Sequence, residues 1–289
     1  MNILNKNHIT LSSPAEREEI CAPLKKINIE TFIYIKNYKN GKLIHLSNRG
    51  NWLEHFYERN FYKIGPFEKL KDIYKEGVLL WSHLSGKQVM REAKEYFNMA
   101  HGITIVEKNF DGSDEFYSFG AGKDNPEVVI FCLNNIDMLK RFILYFKCKA
   151  EKILKHAEQN KIILPDSKTI VTPKNKLIQK NSCVYKNKET DLRKIFFRET
   201  QIGRKAFQCK QEKNVFLTGR ELEVAIFLLD HYSANEIGNL LHISKRTVES
   251  HLVNLKEKMH CYSQEELKKV LLQNGLGFFI AKDTRIAWR

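Results

Sequence analysis

The chain has 289 residues, of which 43% are hydrophobic, so it has enough apolar material for about two globular domains. Its formal net charge of +14 at pH 7 favours a polyanionic partner. The longest apolar runs, such as "VVIFCL" at 128–133, are much shorter than the ~18 residues of a membrane-spanning helix. These features argue against a membrane-spanning helix and exclude a highly acidic protein.

The cysteines and the amino-terminal segment predict the cellular compartment. The six cysteines are scattered and form no Cys-x-x-Cys pair, which argues against a disulfide framework or a structural zinc site and is typical of a reducing cytosol. Residues 1–10 do not have the basic-then-apolar layout of a signal peptide. We therefore expect a cytoplasmic protein that has no metal site, no other cofactor and no membrane association.

The first predicted region, residues 1–156, mixes strands with helices. Apolar and alternating runs predict four strands, at 31–35, 42–46, 103–107 and 115–119. Capping residues and helical spacing predict helices that begin after Ser13 and Ser85, an aromatic-rich helix at 52–62, and one long helix that runs from Ile136 through Ile153. Because strands and helices occur in blocks, the pattern predicts an α+β domain with an antiparallel sheet and flanking helices.

The second predicted region, residues 157–216, is a basic linker. Residues 151–216 contain 16 Lys/Arg against 7 Asp/Glu, together with Pro165 and Pro173. The stretch "DLRKIFFRE" at 191–199 predicts one helix, and the rest of the segment is predicted to be linker. Two interpretations stay open here, a solvated linker and an arm that contacts DNA or RNA.

The third predicted region, residues 217–275, is an all-α domain of four helices, followed by a tail at 276–289. Thr218, Ser233 and Ser263 each precede a glutamate by three residues, which predicts three capping boxes, and Ser244 predicts a simple N-cap. The predicted helices are 219–230, 234–241, 245–259 and 264–273. The short break between the second and third helices is typical of a helix-turn-helix.

The third of these helices has two distinct sides. Its apolar residues Val248, Leu252, Leu255 and Met259 are spaced for one buried stripe. Polar and cationic residues occupy the other side and the flanks, an arrangement that suits a DNA major groove, with flanks toward phosphates and the outer side toward bases. An ordinary amphipathic surface helix has the same periodicity, so the pattern alone leaves both interpretations open.

The stretches "LTGRELEV" and "SKRTVESHL" resemble the LuxR-type DNA-binding domain, whose pattern is Leu-Thr-x-Arg-Glu-x-Glu-Val-Leu followed by Glu-Ile-Ala, Ser-x-x-Thr-Val-x-x-His and Lys-Leu. The resemblance implies DNA contacts by Lys245, Arg246, Thr247, Glu249, Ser250, His251, Val253, Asn254 and Lys258, with Thr247 and Lys258 toward the DNA backbone. Two positions depart from the pattern, since His231 stands where Gly is usual and Gly238 where Ala is usual. We expect His231 to strain a left-handed cap that Gly accepts freely.

Residues 20–135 resemble, more distantly, the acyl-homoserine-lactone-binding domain of quorum-sensing LuxR regulators. The resemblance is carried by Trp52, Pro66 and Trp81, and by "FNMAHGITIVE" and "DEFYSFGAG". It implies a ligand pocket, whose candidate residues are Tyr34, Trp52, Phe56, Tyr62 and Trp81.

Two positions of this region lack the polar anchors of that family. Gly65 stands where the family has an aspartate, and Phe56 where it has a tyrosine. Each unmet buried polar group costs ~1–3 kcal/mol, so the sequence argues against an ordinary acyl-homoserine lactone. Glu68 and Asp72 are alternative carboxylates. The aromatic residues either line a pocket for a different small molecule or form a filled core, and both interpretations stay open.

The chain contains no catalytic motif that we recognise, such as Gly-x-Ser-x-Gly, a phosphate-binding loop or His-Glu-x-x-His. We therefore predict no catalytic residues and a sequence-specific DNA-binding transcription regulator controlled by an unidentified ligand at the amino-terminal domain. The alternatives are a ligand-independent regulator and a protein-interaction module, each with a filled core in that domain. The expected partners are double-stranded DNA, a second copy of the chain and RNA polymerase. Leu267, Val270 and Leu271 on the fourth helix predict the surface for dimerisation.

Overall fold

The computed structural model divides the chain into two compact units. It describes residues 4–12, 14–67, 74–84, 87–109, 111–164, 189–200, 207–209, 215–274 and 276–279. The amino-terminal unit comprises residues 1–134 and 150–179, and the carboxy-terminal unit comprises residues 135–149 and 180–289. This division does not coincide with the predicted boundaries near 156 and 216, because residues 135–149 pack within the carboxy-terminal unit.

The amino-terminal unit is built on one antiparallel sheet. Its strands are β1 (Thr31–Asn37), β2 (Lys42–Ser47), β3 (Gly77–Leu80), β4 (His101–Lys108), β5 (Asp114–Ala121) and β6 (Ile162–Ile163), in the order β3-β4-β5-β1-β2-β6. The predicted α+β fold class is therefore confirmed, and β1, β2, β4 and β5 are the four predicted strands. The sequence prediction missed the edge strands β3 and β6, which are too short to show a clear alternation.

Within the described residues up to 164, seven α-helices precede the strands or occur between them along the chain. They are α1 (Pro14–Ile20), α2 (Ala22–Lys25), α3 (Gly50–Glu58), α4 (Lys87–Phe97), α5 (Val128–Asn134), α6 (Ile136–Lys149) and α7 (Glu151–Gln159), of which α6 belongs to the carboxy-terminal unit. The capping residues Ser13 and Ser85 lie outside the described residues. The predicted single helix at 136–153 is wrong, because the helix breaks at Ala150, where ψ is 16°. The apolar spacing continues across this break, because such spacing indicates which side chains are buried and does not show whether the helix is continuous.

The carboxy-terminal unit contains helices α8 (Glu189–Glu199), α9 (Gly219–Leu229), α10 (Ala234–Leu241), α11 (Lys245–Lys258) and α12 (Gln264–Gln273) in addition to α6. A two-stranded ribbon, β7 (Phe207–Gln208) and β8 (Phe216–Leu217), precedes α9. The four helices predicted at 219–273 and the one predicted at 191–199 are therefore confirmed. Much of the predicted linker, at 165–188, 201–206 and 210–214, lies outside the described residues.

The helix starts in this unit use the predicted capping residues. Thr218 and Ser233 form complete capping boxes with Glu221 and Glu236. Ser263 accepts a hydrogen bond from the Glu266 backbone, but the Glu266 side chain accepts from Tyr262 N and not from Ser263 N. The third predicted capping box is therefore wrong. In the parts of the chain that the structure describes, none of the helices combines the length and apolarity that crossing a membrane requires.

Candidate nucleic-acid interface

A tight turn connects α10 to α11. Helix α10 ends at His242, whose φ of 55° is left-handed, and Ile243 N donates to Gly238 O over 2.9 Å. A Cβ on residue 238 would lie 2.7 Å from Ile243 O, so Gly238 permits this close approach. Ser244 Oγ then accepts from Thr247 N over 3.0 Å, which starts α11. The geometry is that of a helix-turn-helix.

The apolar stripe of α11 holds this helix on its own unit. Val248 and Leu255 are fully buried, Met259 is nearly so, and Leu252 is half-buried. The stripe contacts α9, α10 and α12, because each of these helices packs against α11. The predicted core positions are therefore confirmed, and the orientation of α11 about its axis follows from them.

The opposite side of α11 is open to solvent. Seven of the nine predicted DNA-contacting residues are exposed, and they are Lys245, Arg246, Thr247, Glu249, Ser250, Val253 and Asn254. Val253 is 48% exposed although it is apolar. The two remaining residues, His251 and Lys258, are half-buried on the flanks. The structure thus brings seven predicted contacts to one outer surface, and their contact with DNA stays a prediction.

Several of these side chains have partners within the chain. Lys245 Nζ lies 3.6 Å from Glu249 Oε1, so one cation and one anion are paired on the outer surface. Lys258 Nζ lies 2.7 Å from Glu221 Oε2. This second ion pair connects α11 to the start of α9, and no local signal in the sequence marks it, because its partners are far apart along the chain. Within the described residues, Nδ1 of His251 is buried and has no hydrogen-bond partner, which fits a packing role for this ring.

The predicted dimerisation surface on α12 is largely buried. Leu267 and Leu271 are both 0% exposed, because they pack into the core of their own unit. The prediction that they form an outward surface is therefore wrong. Leu272, the next residue after Leu271, is 45% exposed. The exposed side of α12 therefore contains Leu272 and not the two buried leucines. Helical spacing identified the apolar stripe but not which element covers it.

The amino-terminal unit contains one further candidate site, a small apolar cavity on one face of the sheet. Its volume is about 50 Å³, and it is lined by Trp52, Phe56 and Trp81 among others. Ile33, Ile35 and Ser118 contribute from the sheet itself. Three of the five predicted pocket residues therefore do line a cavity.

The other two predicted pocket residues lie elsewhere. Tyr34 alternates with Ile33 and Ile35 along β1, so its side chain is on the opposite face of the sheet, where its hydroxyl donates to Glu115 Oε1 over 2.6 Å. Tyr62 donates to Asn60 Oδ1 and does not line the cavity. Neither residue lines this cavity, although Tyr62 packs in the same buried cluster as Trp52, Phe56 and Trp81. Glu68 and Asp72 lie outside the described residues.

Trp81 is accommodated by glycines in the sheet. A Cβ on Gly102 or Gly120 would lie 2.9 Å or 2.3 Å from the Trp81 ring. Trp81 Nε1 donates to Thr104 Oγ1 over 3.1 Å, and Thr104 in turn contacts Ser118 Oγ at 2.8 Å. Trp81, Thr104 and Ser118 thus form one chain of hydrogen bonds beside the cavity.

Comparisons with known proteins concern mainly the helical region. Residues 215–271 match the family described as bacterial regulatory proteins, luxR family. The chain is 38% identical over 60 residues to the uncharacterized response regulatory protein YgeK of Escherichia coli strain K12, covering 21% of this chain and 41% of that protein. It is 33% identical over 76 residues to the transcriptional regulatory protein DegU of Brevibacillus brevis, covering 26% and 32%. The chain thus spans less than half the length of these relatives.

Two solved structures are similar along most of the chain at low identity. The crystal structure of Escherichia coli SdiA has 15% identity and a TM-score of 0.37, with 92% of each chain covered. The structure of SdiA in complex with octanoyl-rac-glycerol has 13% identity and a TM-score of 0.33, with 92% of this chain and 90% of that chain covered.

Proposed function

We propose that the protein, which carries a helix-turn-helix domain of the luxR family at residues 215–271, is a sequence-specific DNA-binding transcription regulator. The luxR family consists of bacterial regulatory proteins and not of enzymes. One observation carries the proposal: α11 is anchored by a buried apolar stripe while seven predicted contact residues stay exposed on its other side. Such a helix fits a major groove, where side chains reach base edges.

Selection of duplexes from a random-sequence library tests this proposal. The full chain is expected to enrich a defined sequence, and a variant with Arg246→Ala and Asn254→Ala is expected to lose the enrichment. Lys269→Ala, which removes an exposed cation from α12, is the matched control and should enrich the wild-type sequence. If the wild-type chain enriches no sequence, a protein-interaction module replaces the regulator as the function.

We further propose that the regulator acts as a homodimer in the cytoplasm, with DNA and RNA polymerase as its other partners. The exposed Leu272 on α12 supports a pairing surface there, and two-fold symmetry would give half-sites about one helical turn apart. Sedimentation of the wild type and of Leu272→Glu tests the dimer. A monomeric wild type, both alone and on DNA, would rule it out.

For the amino-terminal unit, the observations favour a nearly filled core over a lactone site. The cavity of about 50 Å³ is a third of the ~150 Å³ of an engineered apolar cavity that takes up benzene. Phe56 in its wall offers no hydroxyl to a ligand. We therefore propose that acyl-homoserine lactones do not control this chain. A thermal-shift series with short-chain and long-chain lactones should give no change, whereas a rise that Trp52→Ala abolishes would restore a lactone-controlled regulator.

A further inference from the structure

Helix α6 occupies an unusual place in the chain. Residues on both sides of it, up to 134 and from 150 to 179, belong to the amino-terminal unit, yet α6 itself belongs to the carboxy-terminal unit. Residue 136 and all residues from 138 to 146 are buried, so α6 has no solvent-exposed side over this length. A helix buried all round is a core element. The helical unit therefore has a component that lies outside the segment matching the luxR family.

Arg141 of α6 makes polar contacts with two other helical segments of the same unit. Its Nε donates to Thr200 Oγ1 over 2.9 Å, and its Nη2 donates to Phe197 O over 3.0 Å. Nη2 also donates to Glu223 Oε1 of α9 over 2.5 Å. The guanidinium carbon lies 4.7 Å from the centre of the Phe197 ring. One side chain thus connects α6, the end of α8 and α9.

The partner carboxylate is as deeply buried as the guanidinium. The side chains of Arg141 and Glu223 are 6% and 1% exposed. The second oxygen of Glu223 accepts from Arg220 Nη1 over 2.8 Å, so both of its oxygens are paired. Burial lowers the pKa of Arg141, and the adjacent Glu223 carboxylate opposes this shift. Removing either partner leaves the other charge buried without its counter-charge. This lowers the free energy of unfolding far more than the loss of a solvent-exposed ion pair does.

We infer that α6 is a structural part of the DNA-binding unit and that Arg141 is a positioning residue, which fixes α9 through Glu223 and thereby fixes α11, the helix packed against α9. The seven exposed residues of α11 are exposed in the same structure in which Arg141 pairs with Glu223. We therefore expect this ion pair to affect the position of α11 and not the accessibility of its outer surface. The functional part of this inference rests on the proposed DNA binding.

Hydrogen exchange in the full chain tests the positioning role without DNA. Arg141→Met should speed exchange of the α9 and α11 amides by about tenfold or more, because a buried charge loses its partner. Thr200→Val, which removes one acceptor, should give a smaller increase in the same amides. Lys149→Met removes an exposed cation from the same helix and is the matched control, with wild-type exchange expected. If Arg141→Met does not fold, hydrogen exchange in Thr200→Val tests the inference instead. Wild-type exchange rates of the α9 amides in the variant measured would overturn the inference.

Binding to a mixed-sequence duplex separates positioning from stability alone. At a temperature where each variant is folded, Arg141→Met should bind the duplex at least several-fold more weakly than the wild type, with an unchanged salt dependence. A variant that exchanges faster in α9 but binds as tightly as the wild type overturns the positioning role. If the wild type itself binds no duplex, the proposed function fails, and exchange of the α9 and α11 amides alone decides whether Arg141 positions these helices.

Discussion

Nζ of Lys258 lies 2.7 Å from Oε2 of Glu221, so the last turn of the recognition helix α11 is ion-paired to the first turn of α9. The same carboxylate oxygen accepts from Thr218 N over 2.8 Å, so one group caps α9 and holds α11. The resemblance to the luxR family implies that Lys258 contacts the DNA backbone. Its intramolecular ion pair favours a different role, the placement of α11 relative to α9.

Lys258→Ala should therefore weaken DNA binding without the signature of a lost phosphate contact. Glu221 is 6% exposed, and leaving its carboxylate without the lysine should cost about 1–2 kcal/mol of unfolding free energy. The slope of log affinity against log salt should stay the same. Lys245→Ala, on the exposed side, should instead reduce that slope by about one unit. A reduced slope for Lys258→Ala would make Lys258 a phosphate contact.

Glu221 should also make the helical unit sensitive to acid. Burial by itself raises the pKa of Glu221, but hydrogen bonds from Lys258 and Thr218 outweigh burial and lower it below the ordinary value of 4.5. Because the folded pKa is lowered, this group stabilises the fold at pH values above 4.5, and the contribution disappears as pH falls through the folded pKa. Urea unfolding between neutral pH and about pH 3 should show a shallower acid decline for Glu221→Gln than for the wild type.

The control for this pH series is Glu265→Gln, because the Glu265 side chain is 83% exposed. Its acid decline should match that of the wild type. Equal declines for Glu221→Gln and the wild type would show that another carboxylate governs acid stability.

In the described part of the carboxy-terminal unit, a histidine with left-handed backbone caps α10 and another directly follows the C-cap residue of α9 and of α11. The φ angles of His231, His242 and His260 are 65°, 55° and 52°. This conformation costs an L-residue roughly 1–2 kcal/mol relative to the right-handed one, and glycine adopts it without that cost. The left-handed backbone expected at His231 is thus present there and at two further histidines. Each His→Gly change should therefore raise the free energy of unfolding by about 0.5–1 kcal/mol.

Thermal or urea unfolding of the three single variants measures this gain. His156→Gly, at an exposed position inside α7, is a control with the opposite expected sign. It should lower the free energy of unfolding, because glycine within a helix costs about 1 kcal/mol. A loss of stability in all three cap variants would mean that the histidine side chains make contacts worth more than the backbone strain.

Gly238 should resist replacement by the alanine that is usual in the family. Alanine in a helix is favoured over glycine by about 1 kcal/mol, but its Cβ would lie 2.7 Å from the backbone oxygen of Ile243. Backbone cannot move aside as a flexible side chain can, so we expect Gly238→Ala to lower stability and to shift α11. Asn235→Ala, at an exposed position of the same helix, should be neutral or stabilising. If Gly238→Ala is instead more stable than the wild type, the turn between α10 and α11 accommodates the added methyl group at little cost.

The sequence predicted the helical region well because its signals are local. Capping residues at 218, 233 and 244 and the apolar spacing of Val248, Leu255 and Met259 act within one or two turns, and the structure has them as predicted. Contacts between distant segments could not be predicted in this way. Arg141 and Glu223 are 82 residues apart, and no local pattern marks either as a partner of the other.

The error on α12 also concerns long-range packing. The apolar spacing on α12 was correct, but only the structure shows that Leu267 and Leu271 pack inward against their own unit. Tyr34 was a different kind of error, because the alternation along β1 was visible in the sequence and places this side chain on the face opposite the cavity. The extent of the cavity itself depends on how aromatic side chains from α3 and the sheet interdigitate, which one sequence does not determine.

Glu249 should determine base preference within the proposed interface. Its side chain is 53% exposed near the start of α11, on the side opposite the buried stripe. A carboxylate there can accept from the cytosine N4 amine and repels base edges that offer only acceptors. Glu249→Ala should therefore relax the preference at one base pair by roughly 1–3 kcal/mol. It should leave non-specific binding intact or slightly stronger, because Lys245, which lies 3.6 Å from Glu249, is released.

Lys245→Ala is the matched comparison, since it removes the other member of the same pair. Its exposed ammonium reaches phosphate in the proposed arrangement, so affinity for every sequence should fall by a similar factor and the salt slope should fall by about one unit. Both variants are measured against a library of single-base changes in the selected duplex at two salt concentrations. If Lys245→Ala changes the base preference and Glu249→Ala does not, α11 enters the groove in a different orientation, with the Lys245 flank facing the bases.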